Sequence, residues 1–469
     1  MTAKELPTVL QEIVAQRRTH LPAIRDRLSY VDLASVPPSE RSLVEALDGT
    51  NRFIMECKSA SPSLGLIRAD YRPGDIARIY SRYASAISVL CEPARFGGDY
   101  DHLQTVAQST HLPVLCKDFI VDPIQVYAAR HYGADAILLM MSIVDDDTYV
   151  KLKALADELG LDVLTEAITE EEVERALQLG GDIIGINNRN LHDLSIDLER
   201  TERLASHIPE GKTIVSESGI RDNATVRRLG SHVHAFLVGS QLSRQEDIDR
   251  AARDLVYGGN KVCGLNSASA AQAARAAGAR YGGLIFVRES PRSVSRETAR
   301  DIISAEPGLD YVAVTRSSDI EELQRLSELP GLKALQLHTP FQGSGEAERE
   351  FLRQVRSVAG GLSVWRAVDM LSPDFAGLAT DLVPEVEALV LDSGSGGSGS
   401  SFEWSTIPPE VKDKSFLAGG LRLDNLEEAL SIGTMGLDLN SGLEYAPGRK
   451  DSSPVSYTHL RAHETRHDL

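Results

Sequence analysis

Glu56, Lys58, Lys117, Glu166 and Glu217 carry charges of both signs, and each stands at or just beyond the C-terminal end of a short apolar run. Those runs are 53–57, 113–116, 161–165 and 213–216. Lysines and carboxylates gathered in one place shift each other's proton affinities, which general acid–base chemistry requires. One such charge is usually a solvated turn or an ion pair, whereas five at equivalent ends predict a site. A second group offers different chemistry. Cys263 lies in the run 261–264, Asp392 closes 387–391, and Ser290-Pro291-Arg292 follows 282–287. An isolated cysteine there reads as a small buried residue. With a carboxylic acid and an anion-binding guanidinium beside it, a thiolate base makes a proton-shuttling isomerase site.

The elements that must position these groups repeat. Strands are predicted at 53–57, 86–90, 113–116, 135–140, 161–165, 182–186, 213–216 and 234–238, alternating with helical stretches. Eight more are predicted at 261–264, 282–287, 311–315, 333–338, 362–367, 387–391, 415–418 and 435–439. This alternation predicts an α/β protein of two tandem (β/α)8 barrels, with chemistry at the C-terminal strand ends. An extra helix is expected over 8–28, before the first barrel; whether it only covers the barrel bottom or joins the site stays open. The helix 245–257 stops at Gly258-Gly259-Asn260, a glycine C-cap signal, and the next strand follows at once. The expected domains are therefore 1–256 and 257–451. Ser218-Gly219 is followed by Gly239-Ser240, and Gly419-Gly420 by Ser441-Gly442. In both halves these are the loops after strands seven and eight, where barrels cradle phosphate with backbone N–H groups.

Composition sets bounds on function. The chain has 469 residues, 42% of them hydrophobic, with a net charge of −19. Such an acidic protein is not expected to bind nucleic acid or an anionic membrane, so phosphate must be held locally. Cys57, Cys91, Cys116 and Cys263 form no CxxC pair and read as reduced thiols of a cytoplasmic protein. The start of the chain lacks a signal pattern, and the longest apolar stretch, 136–144, is too short for a membrane span.

Several motifs occur in order at the strand ends of the first half. They are Glu56-Cys57-Lys58 with Ser61-Pro62-Ser63, Lys117-Asp118-Phe119, Thr165-Glu166, Asn187-Asn188-Arg189-Asn190-Leu191 and Ser216-Glu217-Ser218-Gly219-Ile220. Over 1–256 they resemble indole-3-glycerol-phosphate synthase. The resemblance implies that 1-(2-carboxyphenylamino)-1-deoxyribulose 5-phosphate is cyclised, decarboxylated and dehydrated to indole-3-glycerol phosphate. It assigns Lys117 to the ketone oxygen, and Glu166, with Glu56, Lys58 and Glu217, to the acid–base steps. It places Asn187 and Arg189 at the anthranilate side, and Phe96 and Phe119 on the aromatic ring. Ser61, Ser218, Gly219, Gly239 and Ser240 fall to the phosphate side. Leu64 departs from the pattern, where many relatives have lysine.

The second half carries Val262-Cys263-Gly264-Leu265, Gly282-Gly283-Leu284-Ile285-Phe286, Ser290-Pro291-Arg292, Gln336-Leu337-His338, Asp392-Ser393-Gly394, Ala418-Gly419-Gly420 and Asp438-Leu439-Asn440-Ser441-Gly442. Over 257–451 these resemble phosphoribosylanthranilate isomerase. The implied reaction is the Amadori rearrangement of phosphoribosylanthranilate, with Asp392 as the acid that opens the sugar ring and Cys263 as the base at C2. Arg292 would face the anthranilate carboxylate. Gln336, His338, Asp438, Gly419, Gly420, Ser441 and Gly442 would bind substrate. The product of this half is the substrate of the first, as in the bifunctional enzymes of tryptophan biosynthesis. No cofactor or metal is implied; the partners are phosphorylated anthranilates, and a monomer is expected. Asn266 and Thr339 depart from the pattern in loops.

Two rival readings stay open: a Schiff-base aldolase or lyase at Lys117, and a second barrel that only scaffolds the first. The second rival arises because 452–469 shows no apolar stripe where a closing helix is expected, and reads as an atypical tail. Gly394-Ser395-Gly396-Gly397-Ser398-Gly399 satisfies GxGxxG, but Trp404 and Pro408-Pro409 follow rather than a helix. It reads as a mobile loop closing over a sugar phosphate. His463-Glu464-Thr465-Arg466-His467 has no domain around it, so no metal site is expected there.

Overall fold

A computed structural model of the chain describes residues 8–190, 193–372, 375–394 and 401–451. Leu191, the glycine loop from 395 to 400, and the tail 452–469 with its His463–His467 pattern lie outside the described residues. The chain divides between Leu255 and Val256 into two units, each built on one closed barrel of eight parallel strands.

The first barrel is formed by Arg52–Cys57 (β1), Ala86–Leu90 (β2), Val114–Lys117 (β3), Ala136–Met140 (β4), Asp162–Ala167 (β5), Ile183–Asn187 (β6), Thr213–Glu217 (β7) and Ala235–Val238 (β8). Neighbours in sequence pair in order, and β1 closes on β8. β2 and β4 are buried along their whole length, as continuous apolar runs must be when helices cover a parallel sheet. Side-chain caps start the intervening helices: Asp122, Asp145, Thr169 and Asp222 each accept a backbone N–H of the first turn. Several strands run a residue further than the apolar pattern predicts. Lys117, Asn187 and Glu217 are thus the last residues of strands, held by the ladder rather than by loops.

The expected helix 8–28 is two helices, Thr8–Thr19 (α1) and Leu21–Arg27 (α2). Pro22 has no N–H to give, and within a continuous helix its ring would clash with the carbonyl four residues back, so the chain restarts with Pro22 in the first turn of α2.

The second barrel comprises Lys261–Val262 (β9), Tyr281–Ile285 (β10), Asp310–Thr315 (β11), Leu332–Leu337 (β12), Ser363–Asp369 (β13), Ala388–Asp392 (β14), Ser415–Leu417 (β15) and Gly436–Leu439 (β16). β9 is shorter than expected because Gly264 turns to a φ of +73°. Cys263 nevertheless stays tied to the ladder, donating its N–H to Leu439 O at 2.7 Å. Tyr281, Trp365 and Phe416 fill part of this barrel's core; the Trp365 and Phe416 rings stack at 4.7 Å. After β16 the chain folds into a hairpin pairing Glu444–Ala446 with Arg449–Lys450. Among the described residues no helix is long and apolar enough to cross a membrane.

Candidate active sites

Glu56, Lys117, Glu166 and Glu217 come from β1, β3, β5 and β7. Inward positions of alternate strands form one layer in such a barrel, so these four charges share a layer at its C-terminal end. Two glycines make room for them. A Cβ at Gly185 would stand 2.3 Å from Glu217 Oε1, and one at Gly239 would stand 2.4 Å from Glu56 Oε1. Lys58 Nζ lies 2.6 Å from Glu56 Oε1 and 3.5 Å from Ser240 Oγ. Lys117 Nζ lies 2.5 Å from Glu217 Oε2, and Asn187 Nδ2 donates to Glu166 Oε1 at 3.2 Å.

Three buried carboxylates thus face two lysines, and the proton affinities separate accordingly. Burial, reinforced by the Glu217 charge, pushes Glu166 up to about 8 against the opposing pull of Lys117 and Asn187. Burial would also raise Glu56, but Lys58 and Lys117 outweigh it and hold Glu56 below the usual range. Burial would lower Lys117, yet Glu217, Glu56 and Glu166 together carry it well above the usual lysine range. At neutral pH Lys117 is therefore an ammonium and Glu166 holds a proton.

All the residues expected in this site line one cavity of about 450 Å³. Phe96 and Phe119 lie side by side with ring centroids 5.8 Å apart. Arg189 donates its backbone N–H to Asn187 Oδ1 and its Nη1 to Leu194 O. Ser218 (φ +67°) and Gly219 (φ +84°) both adopt left-handed backbone, turning the loop that follows β7. Val9, Leu10 and Ile13 form another part of the wall, so α1 covers the catalytic mouth and not the barrel bottom.

The sequence did not reveal what pins α1. Arg17 Nε lies 2.9 Å from Asp118 Oδ1, its Nη2 pairs with Oδ2, and Tyr100 OH donates to the same carboxylate at 2.9 Å. Asp118 directly follows Lys117. Asn188, visible in sequence only as part of a motif, is fully buried and donates to Ser216 Oγ and Ser218 O, bracing the turn after β7.

In the second barrel Cys263, Asp392, Arg292, Gln336, His338, Gly419, Gly420, Asp438 and Ser441 line a cavity of about 270 Å³. Gly442 does not line it; a Cβ there would sit 2.1 Å from Leu421 O, so this glycine lets two loops touch. Burial, with the Asp438 charge, pushes Asp392 up to about 6. Burial also raises the Cys263 thiol, opposed by Lys261 and Lys450. His338 is held down at about 3 by burial and by Lys261, Arg366 and Arg316, so it is neutral, and its Nε2 lies 2.8 Å from Gln336 Nε2. Arg292 is gripped by Glu444, through Nε at 2.9 Å and Nη2 at 2.7 Å, and Lys450 Nζ holds the same carboxylate at 3.0 Å. Asn266 Nδ2 donates to Gly448 O at 2.6 Å, tying the loop after Cys263 to the C-terminal hairpin. Lys261, Glu444 and Lys450 went unread in the sequence. The available signal was a lysine at an inward position two residues before Cys263, since a charge inside a barrel strand needs a partner.

Two closed α/β barrels, each with ionisable groups and glycine turns lining a cavity at its C-terminal mouth, define a tandem-barrel enzyme with two separate sites. The family model described as indole-3-glycerol phosphate synthase matches residues 10–255, and that described as N-(5'-phosphoribosyl)anthranilate isomerase matches 260–458. The tryptophan biosynthesis protein TrpCF of Corynebacterium glutamicum is 59% identical to this chain, covering 96% of it and 95% of the relative. That of Salmonella typhi is 45% identical over 95% of this chain and 97% of its own, and that of Yersinia pestis 44% over 96% and 93%. The chain belongs to the bifunctional family that joins indole-3-glycerol-phosphate synthase to phosphoribosylanthranilate isomerase. It is an enzyme of tryptophan biosynthesis, a decarboxylating lyase in its first barrel and a sugar isomerase in its second.

Proposed function

We propose that residues 257–451 isomerise phosphoribosylanthranilate through Asp392 and Cys263, and that residues 1–256 close the indole ring through Lys117 and Glu166. In the second barrel Asp392 gives its proton to the ring oxygen of the sugar, and the C1–O bond breaks to leave an iminium. Cys263, as thiolate, takes the C2 proton; the resulting enolamine becomes the ketone as C1 takes up a proton and the C2 hydroxyl gives one up. Arg292 keeps Nη1 for the anthranilate carboxylate while Glu444 holds Nε and Nη2. The loops at Gly419, Gly420 and Ser441 take the phosphate.

In the first barrel the Lys117 ammonium donates to the ketone oxygen as the carboxylate-bearing ring carbon attacks the carbonyl carbon. Carbon dioxide then leaves, and the pair of its broken C–C bond returns to the six-membered ring and restores its aromaticity. Glu166 then protonates the new hydroxyl, which departs as water, and the former sugar C1 gives up a proton to complete the five-membered ring. Glu56 with Lys58, and Glu217, hold the charge balance around Lys117. Arg189 and Asn187 hold the anthranilate side, Phe96 and Phe119 its ring, and Ser61, Ser218, Gly219, Gly239 and Ser240 the phosphate. Each cavity is lined from one unit alone, which supports action as a monomer. The four buried free cysteines support a cytoplasmic setting.

The observation that carries this reading is Lys117 Nζ ion-paired to Glu217 at 2.5 Å in the same buried layer as Glu166, which Asn187 Nδ2 holds at 3.2 Å. The same feature disfavours a Schiff-base lyase, whose lysine must be a free amine to attack. The test is incubation with phosphoribosylanthranilate alone. Indole-3-glycerol phosphate should form, and borohydride should trap no adduct on Lys117. A trapped lysine would overturn the assignment of Lys117.

A further inference from the structure

Lys261 is 0% exposed, a charge taken wholly out of water, and its Nζ sits 2.7 Å from Asp438 Oδ2. Such a pair costs desolvation energy that its own attraction barely returns, so stability alone is a weak reason for it. Its placement is informative. Lys261 and Asp438 are register partners across β9 and β16. Lys261 and Cys263 are two residues apart on one chain, so both point inward. A Cβ at Gly283 would meet Cys263 Sγ at 2.7 Å and Lys261 Cε at 3.1 Å, so the ammonium stem and the thiol lie over the same glycine. At the other end Asp438 Oδ1 is buried with no hydrogen-bond partner among the described residues. Asp438 and Asp392 line one cavity.

We propose that the buried Lys261–Asp438 ion pair is a positioning device for the isomerisation, its ammonium end serving Cys263 and its carboxylate end serving Asp392. One fixed dipole then favours the thiolate on one side of the substrate and the protonated carboxyl on the other. A base and an acid have to be poised in opposite states at the same pH, and a single pair of opposite charges supplies both fields.

The surrounding charges are consistent with this division. Besides Lys261 and Asp438, Cys263 is faced by Lys450 of the C-terminal hairpin and by Arg292 of the loop after β10. Both of those cations are already shared with Glu444. Asp392 is faced by Asp438, Lys261 and Asp369 of β13, and Asp438 is the largest charge acting to keep its proton on. His338, the remaining titratable neighbour of Lys261, is neutral.

The inference rests on the reading of Cys263 as base and Asp392 as acid, but its test does not. Alkylation of Cys263 by iodoacetamide, followed on its own peptide by mass spectrometry, reports the thiolate fraction directly. In full-length Lys261→Met the midpoint should move to higher pH, and below it alkylation should slow about tenfold for each unit moved. Lys261→Arg should restore the parental profile. Asp438→Asn, nearly isosteric, reads the other end: the step of the isomerase kcat/KM profile that follows Asp392 should move to lower pH, because Asp392 loses the charge that keeps it protonated. An unchanged alkylation midpoint in a folded Lys261→Met chain would overturn the proposal. If that variant does not fold, an unmoved Asp392 step in the profile of Asp438→Asn overturns it instead. Full isomerase activity in Cys263→Ser would refute the reading of the base while leaving the alkylation result intact.

Discussion

Lys117 and Glu166 divide the work of the first barrel because their surroundings push them in opposite directions. Lys117→Ala should lower indole-3-glycerol-phosphate formation by ~10²–10⁴-fold, the usual cost of a positioned proton donor, while isomerisation proceeds. Synthase assay with supplied aminoketose checks this, and a loss under about twofold would contradict it. Glu166 supplies a pH dependence. Its carboxyl, raised to about 8, is protonated below that pH, so the synthase rate should fall as pH rises through about 8. Glu166→Gln should be slow at every pH and lack that limb, which a rate profile of both proteins would show. These groups were legible in the sequence because charge at the end of an apolar strand is conspicuous. Their partners were not. Arg17 and Asp118 are separated by 101 positions, Arg292 and Glu444 by 152, and Lys261 and Asp438 by 177. Only the tertiary fold brings such residues into contact, and the charge pattern of one sequence does not reveal pairing over that distance.

At the scale of elements, the strands were legible to within a residue or two because each is a short apolar run ended by polar residues. The ends were misread where the ladder outlasts the apolar run, as at Glu217, or where a glycine turns the chain early, as at Gly264. The place of α1 was not legible, since an amphipathic helix can cover either end of a barrel. The Arg17–Asp118 pair decides it, with side chains 3% and 0% exposed. Removing one partner of a buried pair leaves the other uncompensated, so Arg17→Ala should cost about 3–5 kcal/mol. It should also raise the synthase KM, because α1 walls the cavity. Thermal melting and synthase kinetics check both; a cost below about 1 kcal/mol, the worth of a surface pair, would show that α1 is held by its apolar face alone.

At the scale of the whole molecule, the chain is two copies of one architectural solution with different charges in the mouth. The doubling was legible from the count of strands and from the echoed Ser218-Gly219 and Gly419-Gly420 turns. Separate machinery in separate barrels has a direct consequence: losses in one site should be made good by a chain that is intact there. Lys117→Ala should convert phosphoribosylanthranilate and stop at the aminoketose, and Asp392→Asn should convert none of it but still close the ring of supplied aminoketose. The decisive measurement mixes these two variants with phosphoribosylanthranilate and follows indole-3-glycerol phosphate. Each variant alone should yield it at least about a hundredfold more slowly than the parent, and the mixture should yield it steadily, with the aminoketose passing between chains through solution. Product from either variant alone at near the parental rate, or an inactive mixture of two folded variants, would contradict the assignment of one reaction to each barrel.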